Sequence, residues 1–253
     1  MLEITQLSKA FQQKNILRDV NFTLQKNQIL SILGKSGSGK TTLLKILAGL
    51  EYPDQGEVKV NGESVLHTPP HRRKIVYLYQ ESLLFPHLNV FENVAFGLKL
   101  QKQAKNIVKE KTNQLLEALG LGDQAEKMPH QISGGQKQRV SFGRALIIEP
   151  QLLLLDEPFG SLDPGTREQM QELLKQMIAQ YQITGLFVTH DVKEAMLMGD
   201  QIALMQNGQL RTFQSMNEFI EDKQTGAKAE MEFWKQYISP QSTVDSQQSS
   251  DND

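Results

Sequence analysis

The 253 residues include no cysteine, which rules out disulfides, iron–sulfur clusters and thiolate chemistry. Long hydrophobic runs are also missing. The apolar stretches, residues 152–155 for example, are far too short to span a bilayer. The opening MLEITQLSKAF has no long apolar segment, so no secretory signal is expected. Any membrane link is therefore expected to run through a partner. Charge of one sign is lacking too: 27 Lys and Arg stand against 29 Asp and Glu, for a net −2. That balance gives no electrostatic case for a nucleic-acid partner, and none is expected. What is present suits folding. Hydrophobic residues make up 39%, enough for a sizeable core, and the charged fraction of 22% argues against wholesale disorder. The length fits one large α/β domain, or one domain with a sub-domain.

Patterning along the chain divides it. Leu2, Ile4 and Leu7 lead in, and Val20, Phe22 and Leu24 alternate as a half-buried antiparallel strand does. Residues 28–33 are a short apolar strand running into a Gly-rich turn, and 41–50 follow with helical spacing. Residues 57–60 with Asn61-Gly62 predict a hairpin. From about 91 to 128, Leu98, Ile107, Leu115, Leu116 and Leu119 sit among Lys, Gln and Glu, as in a helical sub-domain with a solvated face. Residues 152–155 are fully apolar, as in a parallel strand buried on both faces. Residues 169–181 predict an amphipathic helix and 186–189 another buried strand. Strands alternating with helices imply a mainly parallel sheet with crossover connections. Residues 213–238, ending Phe233-Trp234-Lys235-Gln236-Tyr237, look helical, with Trp234 expected in packing. The polar, acidic stretch 239–253 predicts a disordered tail. No internal repeat is visible.

Gly34-Lys35-Ser36-Gly37-Ser38-Gly39-Lys40-Thr41 fits G-x-x-x-x-G-K-[ST], with a strand before it and a helix after. Glycines let the backbone curl until its N–H groups face phosphate oxygens, and the helix start adds partial positive charge. Lys40 is placed to reach the β- and γ-phosphates, and the Thr41 hydroxyl to ligate Mg²⁺; Thr42 extends the nucleotide-binding set. Taken alone, such a loop could be a Gly-rich turn that binds nothing. Leu155-Asp156-Glu157 sets two carboxylates where a buried strand emerges, which in an open parallel sheet is the ligand edge. Asp156 could hold Mg²⁺ through its water shell, and Glu157 could polarise an attacking water. Without the phosphate loop, the pair would read as an ordinary acidic turn.

Between these two motifs lies Ile132-Ser133-Gly134-Gly135-Gln136. The ordered set resembles the ATP-binding cassette family over about residues 1–220. The resemblance implies a P-loop NTPase core, an N-terminal antiparallel β sub-domain and a helical sub-domain at about 91–140. A short helical extension at 221–238 would follow. Further positions match the family one by one. Phe11 fits the aromatic that stacks on adenine. Gln80 fits a strand-end glutamine that senses Mg²⁺ and water, and His190 a histidine that contacts the γ-phosphate. Ser161-Leu162-Asp163 fits the loop whose Asp163 links two sites across an interface. Alone, Phe11 would read as core, and Gln80 and His190 as solvent-facing strand ends. Ile132 stands where the family more often carries Leu, a conservative change. His67, His71, His87 and His130 have no comparable context.

The resemblance further implies a head-to-tail homodimer with two Mg-ATP sites, each completed by Ser133 and Gly135 of the other subunit, and places Gln136 in the nucleotide-binding set. Catalysis would use Glu157 as general base with His190, Gln80 and Lys40. The metal set would be Thr41, Gln80 and Asp156. Residues 84–98 and 157–163 are similar to importer cassettes for polyamines, iron, sulfate and molybdate. They imply a peripheral subunit on the cytoplasmic face, serving integral permease subunits and possibly a solute-binding protein. An apolar cleft around 83–88 would receive a short helix of the permease. The regulatory β-domain that some of that group carry is not expected within these 253 residues. An exporter cassette and a soluble cassette ATPase are the alternatives. A degenerate module is disfavoured by the intact Lys40, Asp156, Glu157 and His190.

Overall fold

Alternating apolar side chains build the first layer. β1 (Leu2–Phe11) pairs antiparallel with β2 (Lys14–Leu24). Leu2, Ile4, Leu7, Val20, Phe22 and Leu24 all turn inward. Gln6, at φ 49°, marks the slip in register that keeps Leu7 on the buried side. β3 (Ile29–Leu33) is buried throughout and leads to α1 (Lys40–Ala48). The helix is shorter than the 41–50 pattern suggested, because Gly49 adopts φ 79° and closes it as a left-handed cap. β4 (Gln55–Val60) and β5 (Glu63–Ser64) form the expected hairpin. Asn61 and Gly62 supply the two positive φ values of a type I′ turn. These strands form an antiparallel sheet in the order β2-β1-β4-β5.

The second layer begins with β6 (Ile75–Leu78), followed by α2 (Val90–Leu100), α3 (Lys105–Ala118) and α4 (Gly134–Leu146). Next come β7 (Leu152–Asp156), α5 (Pro164–Gln180), β8 (Thr184–Thr189), α6 (Val192–Met198), β9 (Gln201–Gln206) and β10 (Gln209–Thr212). α5 starts five residues ahead of the expected 169, capped by Asp163 with Pro164 in its first turn. The sheet order is β10-β9-β3-β8-β7-β6, parallel from β9 to β6 with β10 antiparallel at one edge. α7 (Met216–Glu221) and α8 (Ala227–Ile238) complete this computed structural model, which describes residues 1–238. The stretch 239–253 lies outside the described residues.

The period of two explains why residues 152–155 carry no polar side chain. Leu152, Leu154, Leu186 and Val188 face α1 and the antiparallel sheet; Leu153, Leu155 and Phe187 face α2–α5. With both faces covered, each leucine contributes about 1.5–3 kcal/mol of burial. In the helical region Leu98, Leu115, Leu116 and Leu119 are buried as patterned. Ile107 is surface-exposed, and its neighbour Val108 takes the inward position. A third core joins Leu33, Ile202 and Leu204 to Phe213, Phe219 and Ala227, docking the C-terminal helices on the sheet. Trp234 packs only in part: Lys193 sits 3.8 Å from its ring centroid, yet the residue remains 43% exposed.

One buried cation anchors α1 from behind. The Arg73 guanidinium donates to the carbonyls of Ile46, Leu47, Leu66 and Thr68 at 2.7–3.1 Å. A positive group on the unpaired carbonyls of a helix C-terminus is favourable. It fixes the far end of the helix whose first residues are Lys40 and Thr41.

Candidate active site

β3 ends where the phosphate loop begins, and Gly34 N–H donates to the Thr189 carbonyl of the neighbouring β8 at 3.1 Å. The loop is threaded tightly. A Cβ on Gly34 would stand 2.5 Å from the Met205 carbonyl oxygen. Gly39 holds φ 112°, with its would-be Cβ 2.8 Å from the Ile16 oxygen. Only glycine fits at either place. Lys40 is buried, and its Nζ donates to the Gly34 carbonyl at 2.6 Å and the Lys35 carbonyl at 3.1 Å. Burial lowers the Lys40 pKa from its ordinary value, opposed by the carboxylates of Glu157 and Asp156. Ser38 Oγ is buried with no hydrogen-bond partner. An orphaned hydroxyl inside a glycine-rich loop is what a site shaped for added oxygens leaves behind. Phe11, Lys14, Ser36, Gly37, Thr41 and Thr42 help line a cleft of about 260 Å³. The Phe11 ring is 44% exposed there, with Lys9 Nζ 5.0 Å from its centroid.

The acidic strand end meets this loop. Asp156 Oδ1 accepts from Thr41 Oγ1 at 3.3 Å and Oδ2 from the Tyr77 hydroxyl at 2.6 Å. Burial first, and the Asp156 carboxylate second, push the Tyr77 phenol well above its ordinary pKa, so it stays a donor. Glu157 takes φ 45°, a left-handed conformation costing about 1–2 kcal/mol for a side-chain-bearing residue. Its N–H donates to the Val188 carbonyl at 3.0 Å, which holds the turn. The carboxylate then spans two partners, 3.7 Å from Lys40 Nζ and 2.8 Å from His190 Nδ1. Glu157 and His190 face a second cleft of about 570 Å³, together with Gly34, Lys35 and Ser36. Gln224 and Thr225, from the segment between α7 and α8, form its far wall.

The remaining expected residues do not join this cluster. Gln80 is exposed beyond β6, its amide nitrogen 2.9 Å from where a Gly160 Cβ would stand. Ser133, Gly135 and Gln136 open α4, and none of them lines either cleft. Ser133 Oγ accepts from Gln136 N–H at 3.3 Å, while the Gln136 side chain accepts from Ser133 N–H at 2.9 Å. Gln136 is thus turned back on its own helix as half of a capping box. Asp163 caps α5, accepting from Thr166 N–H at 3.0 Å, and that bond holds its carboxyl below the usual range. The two helix starts adjoin: a Cβ on Gly135 would meet the Thr166 methyl at 2.7 Å.

Three polar side chains that the sequence did not single out organise the surroundings. Tyr77 steadies Asp156 as described. Gln138 is buried, donates to the Pro158 carbonyl at 2.8 Å and accepts from Ser82, linking α4 to the segments after Gln80 and Glu157. Asn93 donates to the carbonyls of Phe85, Leu88 and Asn89 and accepts from Phe85 N–H. It folds the loop around 83–88, leaving Leu83 53% exposed. No spacing motif flags such residues, because each serves partners brought close by the sheet.

Among the described residues no group of three or more His, Cys, Asp or Glu could hold a metal by themselves. Thr41 and Asp156 together offer one hydroxyl and one carboxylate. That sparse oxygen set fits Mg²⁺, which keeps waters and takes phosphate oxygens as further ligands.

The chain matches known proteins in a consistent way. A family model described as ABC transporter matches residues 17–160. The spermidine/putrescine import ATP-binding protein of Thermotoga maritima is 44% identical over 209 residues, covering 83% of this chain and 57% of that protein. The sulfate/thiosulfate import ATP-binding protein of Synechocystis sp. is 40% identical over 218 residues, covering 86% of this chain and 61% of that protein. The chain thus spans about three fifths of the length of these curated relatives. Among solved structures, a dimeric post-hydrolysis state of the ATP-binding cassette MJ0796 bound to ADP and Pi is similar, with a TM-score of 0.74 at 29% identity. The match covers 85% of this chain and 100% of that one.

Proposed function

The chain belongs to the ABC transporter family, and from that premise we propose that it binds and hydrolyses Mg-ATP to power solute movement, in the import direction, across a membrane. The observation that carries the reading is the Glu157 carboxylate, held 3.7 Å from the phosphate-loop ammonium and 2.8 Å from His190 Nδ1. Residues 34–42 cradle the triphosphate with backbone N–H groups, and Lys40 exchanges its two carbonyl contacts for phosphate oxygens. Phe11 offers an exposed ring for adenine. Thr41 and Asp156 would hold Mg²⁺, with Gln80 from beyond β6, and the ion would supply neutralisation of phosphate charge. Glu157 takes a proton from the attacking water, and His190 orients Glu157 and meets the γ-phosphate.

The phosphate end of this cleft lacks Ser133 and Gly135. These residues start a 13-residue helix whose free N–H groups favour an anion. A second copy of the chain, docked head to tail, supplies them to each nucleotide, with Asp163 near the shared boundary. The dimeric state of the similar cassette bound to ADP and Pi supports this assembly. The import direction and the permease partner are supported by the names of the two relatives. No helix among the described residues is long and apolar enough to cross a membrane. On the reading carried by the relatives' names, the chain sits peripherally on the cytoplasmic face, with the loop around 83–88 meeting the permease; a solute-binding protein completes the importer.

The test is Glu157→Gln with Mg-ATP. Turnover should fall by about 10²–10⁴-fold while ATP binding persists. Near wild-type hydrolysis would refute the general-base assignment.

A further inference from the structure

Behind His190 lies a buried carboxylate that the chemistry above does not use. Glu194, on α6, is 5% exposed. Its Oε2 accepts from Thr189 Oγ1 at 2.6 Å, and its Oε1 accepts from Gln171 Nε2 of α5 at 3.2 Å. Arg167 of α5 approaches Oε1 to 4.0 Å, while its Nη2 donates to the Leu162 carbonyl at 3.2 Å. The Thr189 hydroxyl also accepts from Asp191 N–H at 3.0 Å, and Asp191 Oδ1 accepts from Glu194 N–H at 3.1 Å. The residues on both sides of His190 are therefore tied to Glu194, while Arg167 Nε faces its carboxylate as a charge at 4.0 Å without a hydrogen bond and Arg167 Nη2 holds the Leu162 carbonyl.

This arrangement is not needed for packing. Burying a carboxylate costs desolvation that an apolar side chain of similar volume avoids, so such a group is a weak source of stability. It does fix geometry, because the Thr189 hydroxyl and the Gln171 amide both donate to it. We propose that Glu194 is a positioning residue, locking the two residues that flank His190 and so the imidazole itself. Resting on the hydrolytic reading above, this couples the imidazole to α5, whose Gln171 donates to Glu194 and whose Thr166 adjoins the start of α4. The network includes no side chain of the phosphate loop, so its loss should fall on turnover rather than on ATP binding.

The experiment uses the 253-residue chain and Mg-ATP, measured under single-turnover and steady-state conditions. Wild type must hydrolyse ATP and Glu157→Gln must not; failure there sinks the hydrolytic reading rather than this inference. Glu194→Gln should then lower kcat by about 10- to 100-fold, the scale of a misplaced catalytic group, with the KM for ATP changed less than about threefold. In a His190→Ala background the same substitution should cost less than about twofold, since coupled residues are not additive. Thr189→Val should repeat the loss and Thr189→Ser, which keeps the hydroxyl, should restore it. That pair carries the test if Glu194→Gln does not fold. An unchanged kcat, an equal loss in both backgrounds, or a serine variant as impaired as the valine one would overturn the proposal.

Discussion

At the C-terminal ends of β3, β7 and β8, Lys40, Thr41, Asp156, Glu157 and His190 reach one another within a single chain. At the start of α4, Ser133 and Gly135 carry equally useful groups, a hydroxyl and free N–H donors, but the hydroxyl is met only by its own helix. The sheet order makes the difference. Parallel strands deliver their last residues to one edge, so side chains distant in sequence converge there. A helix start has no such focus; it satisfies itself locally through a capping box and leaves the remaining donors outward. The capping bond from Gln136 N–H to Ser133 Oγ, at 3.3 Å, lies beyond the usual hydrogen-bond range and is easily given up. On the proposed reading the first region is a site in one chain, and the second is a half-site completed by another molecule.

That contrast can be broken by substitution. Lys40→Ala should have the largest effect on the first region, weakening ATP binding by about 10²-fold or more in equilibrium titration, as loss of a buried charge-assisted contact does. Ser133→Ala should leave ATP binding by the isolated chain within about twofold and lower turnover by about 10-fold, one hydrogen bond to a charged ligand. Equal losses in binding would place Ser133 in the same-chain site after all. Phe11→Ala should weaken ATP by about 1–2 kcal/mol, the value of stacking one base on an aromatic ring, and GTP by a similar amount.

The smallest effect separates two carboxyls near the boundary between the regions. Burial, the largest influence, raises the Glu194 pKa; the Thr189 hydroxyl and, less, Arg167 and Gln171 of α5 oppose it, and Asp191, the cap of α6, adds to it. A raised acid contributes stability that is full below its unfolded value and lost as pH climbs through the folded one. Wild type should therefore lose thermal stability relative to Glu194→Gln as pH rises through that window. Asp163, held low by Thr166 N–H, has the opposite sign: its contribution is present above the unfolded value and lost as pH falls through the folded one. Melting curves of Asp163→Asn against wild type should diverge on the neutral side and merge in acid.

Much of this was legible in the sequence because local rules determine it. Gly34 and Gly39 stand where no Cβ fits, Asn61-Gly62 closes a two-residue turn, and the apolar run at 152–155 follows from burial on both sheet faces. What stayed hidden depends on which strands become neighbours. Tyr77 meets Asp156 across 79 positions because β6 and β7 pair in parallel. Arg73 closes α1 across 26 and 27 positions, and Glu194 gathers Thr189, Gln171 and Arg167 from two further elements. The start of α5 was legible in principle from Asp163-Pro164, a cap followed by a first-turn proline.

The central claim is that a second copy completes each nucleotide site, and the most direct measurement is the solution mass of Glu157→Gln by light scattering. The account predicts a monomer without nucleotide and twice that mass with Mg-ATP, a shift abolished by adding Ser133→Arg. A mass that stays monomeric at saturating Mg-ATP, with binding confirmed in the same sample, would contradict it.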